Sequence, residues 1–266
     1  MEFQPTQLSR RAAMLGISAA GLSVLSGSVI AADRPMLSPP TTPHSTCDNS
    51  GVLASSITDR VAAVADFKGA GAAGLTRSSV EGPYFICADA LGGKDITGGK
   101  PGQPLTAALR VLNRSGVPVP GAIVDAWSCD ARGFYSGHDV HPDSGAGSRG
   151  RRRIPDLAGR FLRGALMTDA DGIAEFDTIY PGYYGGRPIH LHFKVHVGNK
   201  AFLTSQALFP EEWNARIMAM APYNEPRSST RASNGSDPFF IGNAGEFRIV
   251  ERGAVLLAPM NLRIDI

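Results

Sequence analysis

The sequence predicts a mainly β protein, an antiparallel β-sandwich with long loops and one or two short helices. Three observations lead there. From Leu105 onward the chain is a series of short β-friendly runs, each closed by turn residues. The 266 residues include 31 Gly and 19 Pro, a bias toward turns and loops over helix. Only one stretch, Glu211 to Met220, carries clear helix boundaries, begun by Pro210 and stopped by Pro222. A chain this long buries one large core or at most two small ones.

Taken in order, residues 1–32 have the layout of a twin-arginine export signal. Ser9-Arg10-Arg11 precedes an uncharged stretch, Ala12 to Ala32, that ends in small residues suited to cleavage. Ala13 stands where such signals usually carry a bulky apolar residue. The stretch is long enough to be a membrane anchor, but its Gly, Ser and Ala content makes a poor span, and no second one follows. Residues 33–73 read as a linker, Pro/Ser/Thr-rich from Asp33 to Ser50, with one short helix suggested by Ile57, Val61 and Val64. Residues 74–266 form the sandwich domain. Its expected strands are Leu105–Leu112, Ile123–Cys129, Gly164–Thr168, Ile173–Ile179, Ile189–Val197, Leu203–Phe209, Phe247–Val250, Ala254–Leu257 and Leu262–Ile266. Asp169-Ala170-Asp171-Gly172 is a good hairpin turn between two of them.

A net charge of +2 argues against nucleic acid or an anionic membrane as the main partner. Three cysteines, Cys47, Cys87 and Cys129, match no zinc spacing. In an exported chain they allow one disulfide and one remaining thiol, with the pairing open, or three unpaired buried thiols.

Chemistry concentrates in the nine residues Tyr184 to His192, which hold a phenol, a guanidinium and two imidazoles. His190-Leu191-His192 lies in a strand pattern, so both imidazoles share a face, about 6.5–7 Å apart along the backbone. That spacing lets two rings meet one metal at about 2.0–2.2 Å each. The bland reading is a pair of surface or core histidines. Tyr135 and Tyr184 shift the balance, because a tyrosinate is a hard anionic donor that suits a ferric ion, provided its pKa falls from about 10.

Several ordered motifs carry a resemblance. They are Glu81-Gly82-Pro83-Tyr84-Phe85, Val124 to Asp130 running on to Gly133-Phe134-Tyr135, Phe161-Leu162-Arg163-Gly164 with Thr168-Asp169, Thr178 to Tyr184, and Arg187 to Phe193. Over about Gly74 to Phe209 the chain resembles the intradiol ring-cleavage dioxygenases, with Ala221-Pro222-Tyr223 similar to their exported, single-chain branch. The resemblance implies Fe(III), non-haem, held by Tyr135, Tyr184, His190 and His192, with Tyr184 the displaceable ligand and Tyr183 a packing or substrate-wall residue. It further implies Arg187 as the active-site arginine and Gln206 beside the substrate. The implied partners are a catechol-type aromatic substrate and O2, the product a muconate-type diacid. A freed Tyr184 would act as general base, and Arg187 would stabilise the electron-rich ring. Nothing in the sequence excludes a homo-oligomer.

Two rival readings remain at this point. One is a zinc-dependent hydrolytic enzyme using His190, His192 and a third histidine, His196, His138 or His141. The other is a sandwich that binds and does not turn over. His44, in the linker, is expected to be inert. Arg149, Arg151, Arg152 and Arg153, followed by Arg160 and Arg163, read either as a solvated loop or as a rim steering an anionic, carboxylated catechol.

Overall fold

The computed structural model describes residues 59–71, 73–86, 93–138, 141–144, 160–237, 239 and 245–266. The export signal over 1–32, the cysteines at 47 and 87, His44 and the arginines at 149 and 151–153 lie outside these residues.

Among the described residues eight strands and one α-helix follow one another as β1 (Pro104–Leu112), β2 (Ile123–Trp127), β3 (Arg163–Met167), β4 (Ile173–Ile179), β5 (His190–Val197), β6 (Lys200–Leu208), α1 (Glu211–Met218), β7 (Val250–Arg252) and β8 (Val255–Arg263). They form two four-stranded sheets, ordered β4-β1-β8-β7 and β3-β2-β5-β6. Period-two alternation builds the core between them. Leu105, Ala107, Leu109 and Val111 point inward from one sheet and meet Val124, Ala126, Leu191, Phe193 and Val195 from the other.

The expected mainly β sandwich is present, with four departures. First, β1 and β8 pair in parallel, so the sheets are not wholly antiparallel. Second, Ala254–Leu257 and Leu262–Ile266 belong to one continuous strand, β8, which runs through Pro259. Third, the Phe247–Val250 run contributes only Val250, at the start of β7.

The fourth concerns the turn at Asp169–Gly172. The turn itself forms: the Asp169 carboxylate accepts from the backbone N–H groups of Asp171 and Ile173, both at 2.9 Å. It does not make a hairpin, however, because β3 pairs with β2 and β4 pairs with β1 in the opposite sheet. Thr168 anchors the crossing, donating to the Val119 carbonyl at 2.7 Å and accepting from Ala122 N–H at 2.9 Å.

Part of the expected linker is bound to the sandwich. Arg60 forks between Asp169 and Asp171 at 2.7 and 2.9 Å. The N–H groups of Val61 and Ala62 donate to the buried Glu175 carboxylate. Phe67 packs on Ala108, Ile173 and Leu257, covering the outer face of that sheet. Its helical content is a single 3-10 turn, Val64–Phe67. Among the described residues no helix is long and apolar enough to cross a membrane.

Candidate metal centre

Strand β5 alternates His190, His192, Lys194 and His196 against Leu191, Phe193 and Val195. The apolar set enters the core. The polar set faces outward, yet the whole strand up to His196 is buried. Cross-strand register decides the company of the polar set. His192 opposes Trp127 on β2 and Gln206 on β6, and Trp127 in turn opposes Arg163 on β3. Two long loops cover this face and bring Tyr84 and Tyr135 over it. Gly82 passes so close that a Cβ there would stand 3.3 Å from the His192 ring.

Four donor atoms meet at one point. His190 Nε2 lies 3.0 Å from His192 Nε2 and 3.4 Å from the Tyr135 hydroxyl, which is hydrogen-bonded to Tyr184. First-row metal bonds of about 2.0–2.1 Å place neighbouring donors ~3.0–3.4 Å apart, so these residues fit a metal ion. His190 Nδ1 donates to the Pro188 carbonyl at 2.7 Å, which leaves Nε2 with its lone pair toward the cluster.

Electrostatics point the same way. Burial, reinforced by the Arg187 charge, pushes His190 down to about 3. Burial also holds His192 well below the usual imidazole range, with His190, Arg187 and Arg163 adding to the effect. Both imidazoles are therefore biased toward the neutral form, the form that could bind a metal. Burial pushes Tyr135 well above the usual phenol range and Tyr184 up to about 12, Arg187 opposing the rise in each case. Two neutral phenols facing two imidazole nitrogens need a cation to become phenolates. Tyr184 is 8% exposed against 2% for Tyr135, so it is the donor nearer to solvent.

Around the donors runs a closed circuit of hydrogen bonds. Arg187 Nη2 donates to Gln206 Oε1 at 2.7 Å and to Asp237 Oδ2 at 3.2 Å. Gln206 Nε2 donates to Ser79 Oγ at 3.2 Å, and Ser79 Oγ to the Phe239 carbonyl at 3.4 Å. Phe239 N–H returns to Asp237 Oδ1 at 3.2 Å. Arg187 Nη1 reaches the Tyr184 hydroxyl at 3.3 Å. On the other side Tyr84 stacks on Tyr135, centroids 4.4 Å apart. Arg163 donates to the carbonyls of Tyr84 and Ser136, and buried Lys194 pairs with Glu81.

The structure thus brings together Tyr135, Tyr184, His190, His192, Arg187 and Gln206. Tyr183 stays outside this group: its hydroxyl donates to the Ser229 carbonyl and its ring lies under Arg227, which makes it a packing residue. Among the described residues the third histidine needed for zinc is not supplied. His196 shares the outer face, but four residues of strand put it about 13 Å from His192. Its ring is bound to Asp125 at 3.0 Å. His141 contacts the Arg132 carbonyl and His138 the edge of Tyr84. Among the described residues no three His, Cys, Asp or Glu side chains converge. Cys129 is a free, buried thiol.

Sequence reasoning missed Trp127, Asp237 and Phe239. Trp127 was legible in principle, since it opposes His192 once β2 is set beside β5. Asp237 and Phe239 sit in a loop with no pattern to mark them.

The fold and site together are a two-sheet sandwich with two tyrosines and two histidines buried as one cluster on an outer face. Residues 80–221, more than half of the chain, match the dioxygenase family model. The chain belongs to the intradiol ring-cleavage dioxygenase family. It is 32% identical over 161 residues to catechol 1,2-dioxygenase 1 of Acinetobacter lwoffii, covering 52% of this chain and 48% of that one. It is also 32% identical over 130 residues to the protocatechuate 3,4-dioxygenase beta chain of Burkholderia cepacia, covering 43% and 48%. The chain spans about half the length of these curated relatives. Among solved structures, an intradiol ring-cleavage dioxygenase from Tetranychus urticae superposes with a TM-score of 0.61 at 29% identity, covering 72% of this chain and 94% of that one.

Proposed function

We propose that this chain is an exported, non-haem Fe(III) dioxygenase that uses O2 to open a catechol-type ring between its two hydroxylated carbons, giving a muconate-type diacid. The observation that carries the reading is the convergence of the Tyr135 phenol and two neutral imidazoles at 3.0–3.4 Å, with the Tyr184 phenol hydrogen-bonded to Tyr135. Tyr135, Tyr184, His190 and His192 would hold the ion. Two tyrosinates favour a hard ferric ion over zinc, and that ion supplies Lewis acidity and a redox path between catechol and O2.

The residues then have distinct tasks. Tyr184, the most exposed of the four residues, would be the donor that yields to an incoming catechol, and its phenolate Oη would take the substrate's proton. Arg187 is placed beside that oxygen and stabilises negative charge developing on the ring. Gln206 holds Arg187 in place, and the two loops exclude water from the reacting oxygen. Export rests on Ser9-Arg10-Arg11 and the uncharged stretch that follows. The twin-arginine route carries folded proteins, which suits a cofactor loaded before export.

Metal analysis, a visible spectrum and oxygen uptake with catechol on purified protein test the reading together. Stoichiometric iron, a broad phenolate-to-iron band and O2 consumption with catechol are expected. A colourless zinc protein would overturn it. Coloured iron protein that consumes no O2 would leave only the binding module.

A further inference from the structure

Asp237 belongs to no motif and to no element of regular structure, yet its side chain is 1% exposed and lies against the guanidinium proposed to act on the substrate. We propose that Asp237 is a positioning and specificity residue: it fixes Arg187 and neutralises its charge, so that the site accepts an uncharged catechol ring and disfavours a carboxylated one. The inference rests on the catechol dioxygenase reading.

Three observations support it. Arg187 is held on three sides, by Gln206 Oε1 at 2.7 Å, Asp237 Oδ2 at 3.2 Å and the Phe239 ring at 4.8 Å, with Nη1 turned to Tyr184. Asp237 is itself locked, because Phe239 N–H donates to its second oxygen. The other charges near the donors are engaged as well. Lys194 pairs with Glu81, and Arg163 donates to the Tyr84 and Ser136 carbonyls. A carboxylate on the ring would therefore meet the Asp237 carboxylate across a paired and largely buried arginine, where screening is weak. Like charges so placed discriminate between ligands by repulsion, a form of selection separate from attraction to the preferred ring. This acts inside the site, whatever the arginines at 149 and 151–153 do on approach.

The test compares catechol with 3,4-dihydroxybenzoate on the iron-loaded wild type and on Asp237→Asn. Steady-state kcat/KM is measured, and binding without O2 is followed through the visible band. Wild type should favour catechol in both measurements. Asp237→Asn should keep its iron and its resting spectrum and narrow the preference by about tenfold or more, chiefly through tighter binding of the carboxylated ring. A purely structural role would move both substrates alike. An unchanged ratio in a correctly loaded variant overturns the proposal. So does a wild type that takes the carboxylated ring as readily as catechol, and that measurement stands even if the variant does not fold. A wild type that turns over neither ring sinks the dioxygenase reading itself, a separate result from failure of the ratio.

Discussion

Trp127 lies flat against the His192 imidazole, with ring centroids 5.0 Å apart and planes within 5°. The stack follows from register, since the two residues are direct cross-strand partners on β2 and β5. Among the described residues His192 Nδ1 has no hydrogen-bond partner. Its ring is therefore oriented by Trp127 on one face and by the close pass of Gly82, where His190 is instead oriented through Pro188.

Trp127→Leu removes that support from a fully buried position. The variant should lose about 2–4 kcal/mol of stability by denaturant titration. It should also hold iron less tightly than wild type when dialysed against a chelator. Iron retention equal to wild type would show that the stack does not orient His192.

The two tyrosines should behave differently. Tyr184→Phe should retain some iron through Tyr135, His190 and His192, with an altered visible band and poor turnover. Tyr135→Phe should damage metal retention more, because Tyr135 is the more deeply buried donor and contacts His190 directly. Catechol added without O2 should move the wild-type band to longer wavelength. Active, colourless protein from both variants would remove the tyrosines from the site.

Arg187→Ala should bind iron normally, since no guanidinium nitrogen belongs to the donor cluster. Turnover should fall roughly 10²–10³-fold, the usual cost of removing one donor aimed at developing charge in a closed site. Near-normal kcat with bound iron would contradict the role.

Cys129 should resist thiol reagents in the native protein. Burial pushes its pKa far up, with Asp130 adding to the rise, and only the thiolate reacts. Peptide mapping after alkylation should find Cys129 unmodified until the chain is denatured. Rapid modification in folded protein would contradict its burial.

Much of this was already legible in the chain. The Ile173–Ile179 run and the start of α1 fall where periodicity and proline boundaries place them, because those signals are local. The His-x-His spacing alone sets two imidazoles on one strand face. The resemblance gave roles to the two tyrosines and Arg187 and added Gln206, and the fold brings all four together.

Tertiary structure decided the rest. Alternation along β5 describes a strand with one polar face but cannot say whether water or protein covers it. Here loops cover it, and that burial is what keeps both imidazoles neutral. The turn at Asp169–Gly172 has the same local bonds whether β4 folds back on β3 or crosses to the other sheet. Only pairing with β1 chooses between them. His196 has the same alternation phase as His192, but strand length carries it out of reach of the donor cluster and into the grasp of Asp125. Asp237 and Arg187 are 50 residues apart in the chain, and no sequence period links them. Their contact exists because the loop after α1 closes over the polar face, a long-range event to which local propensity is blind.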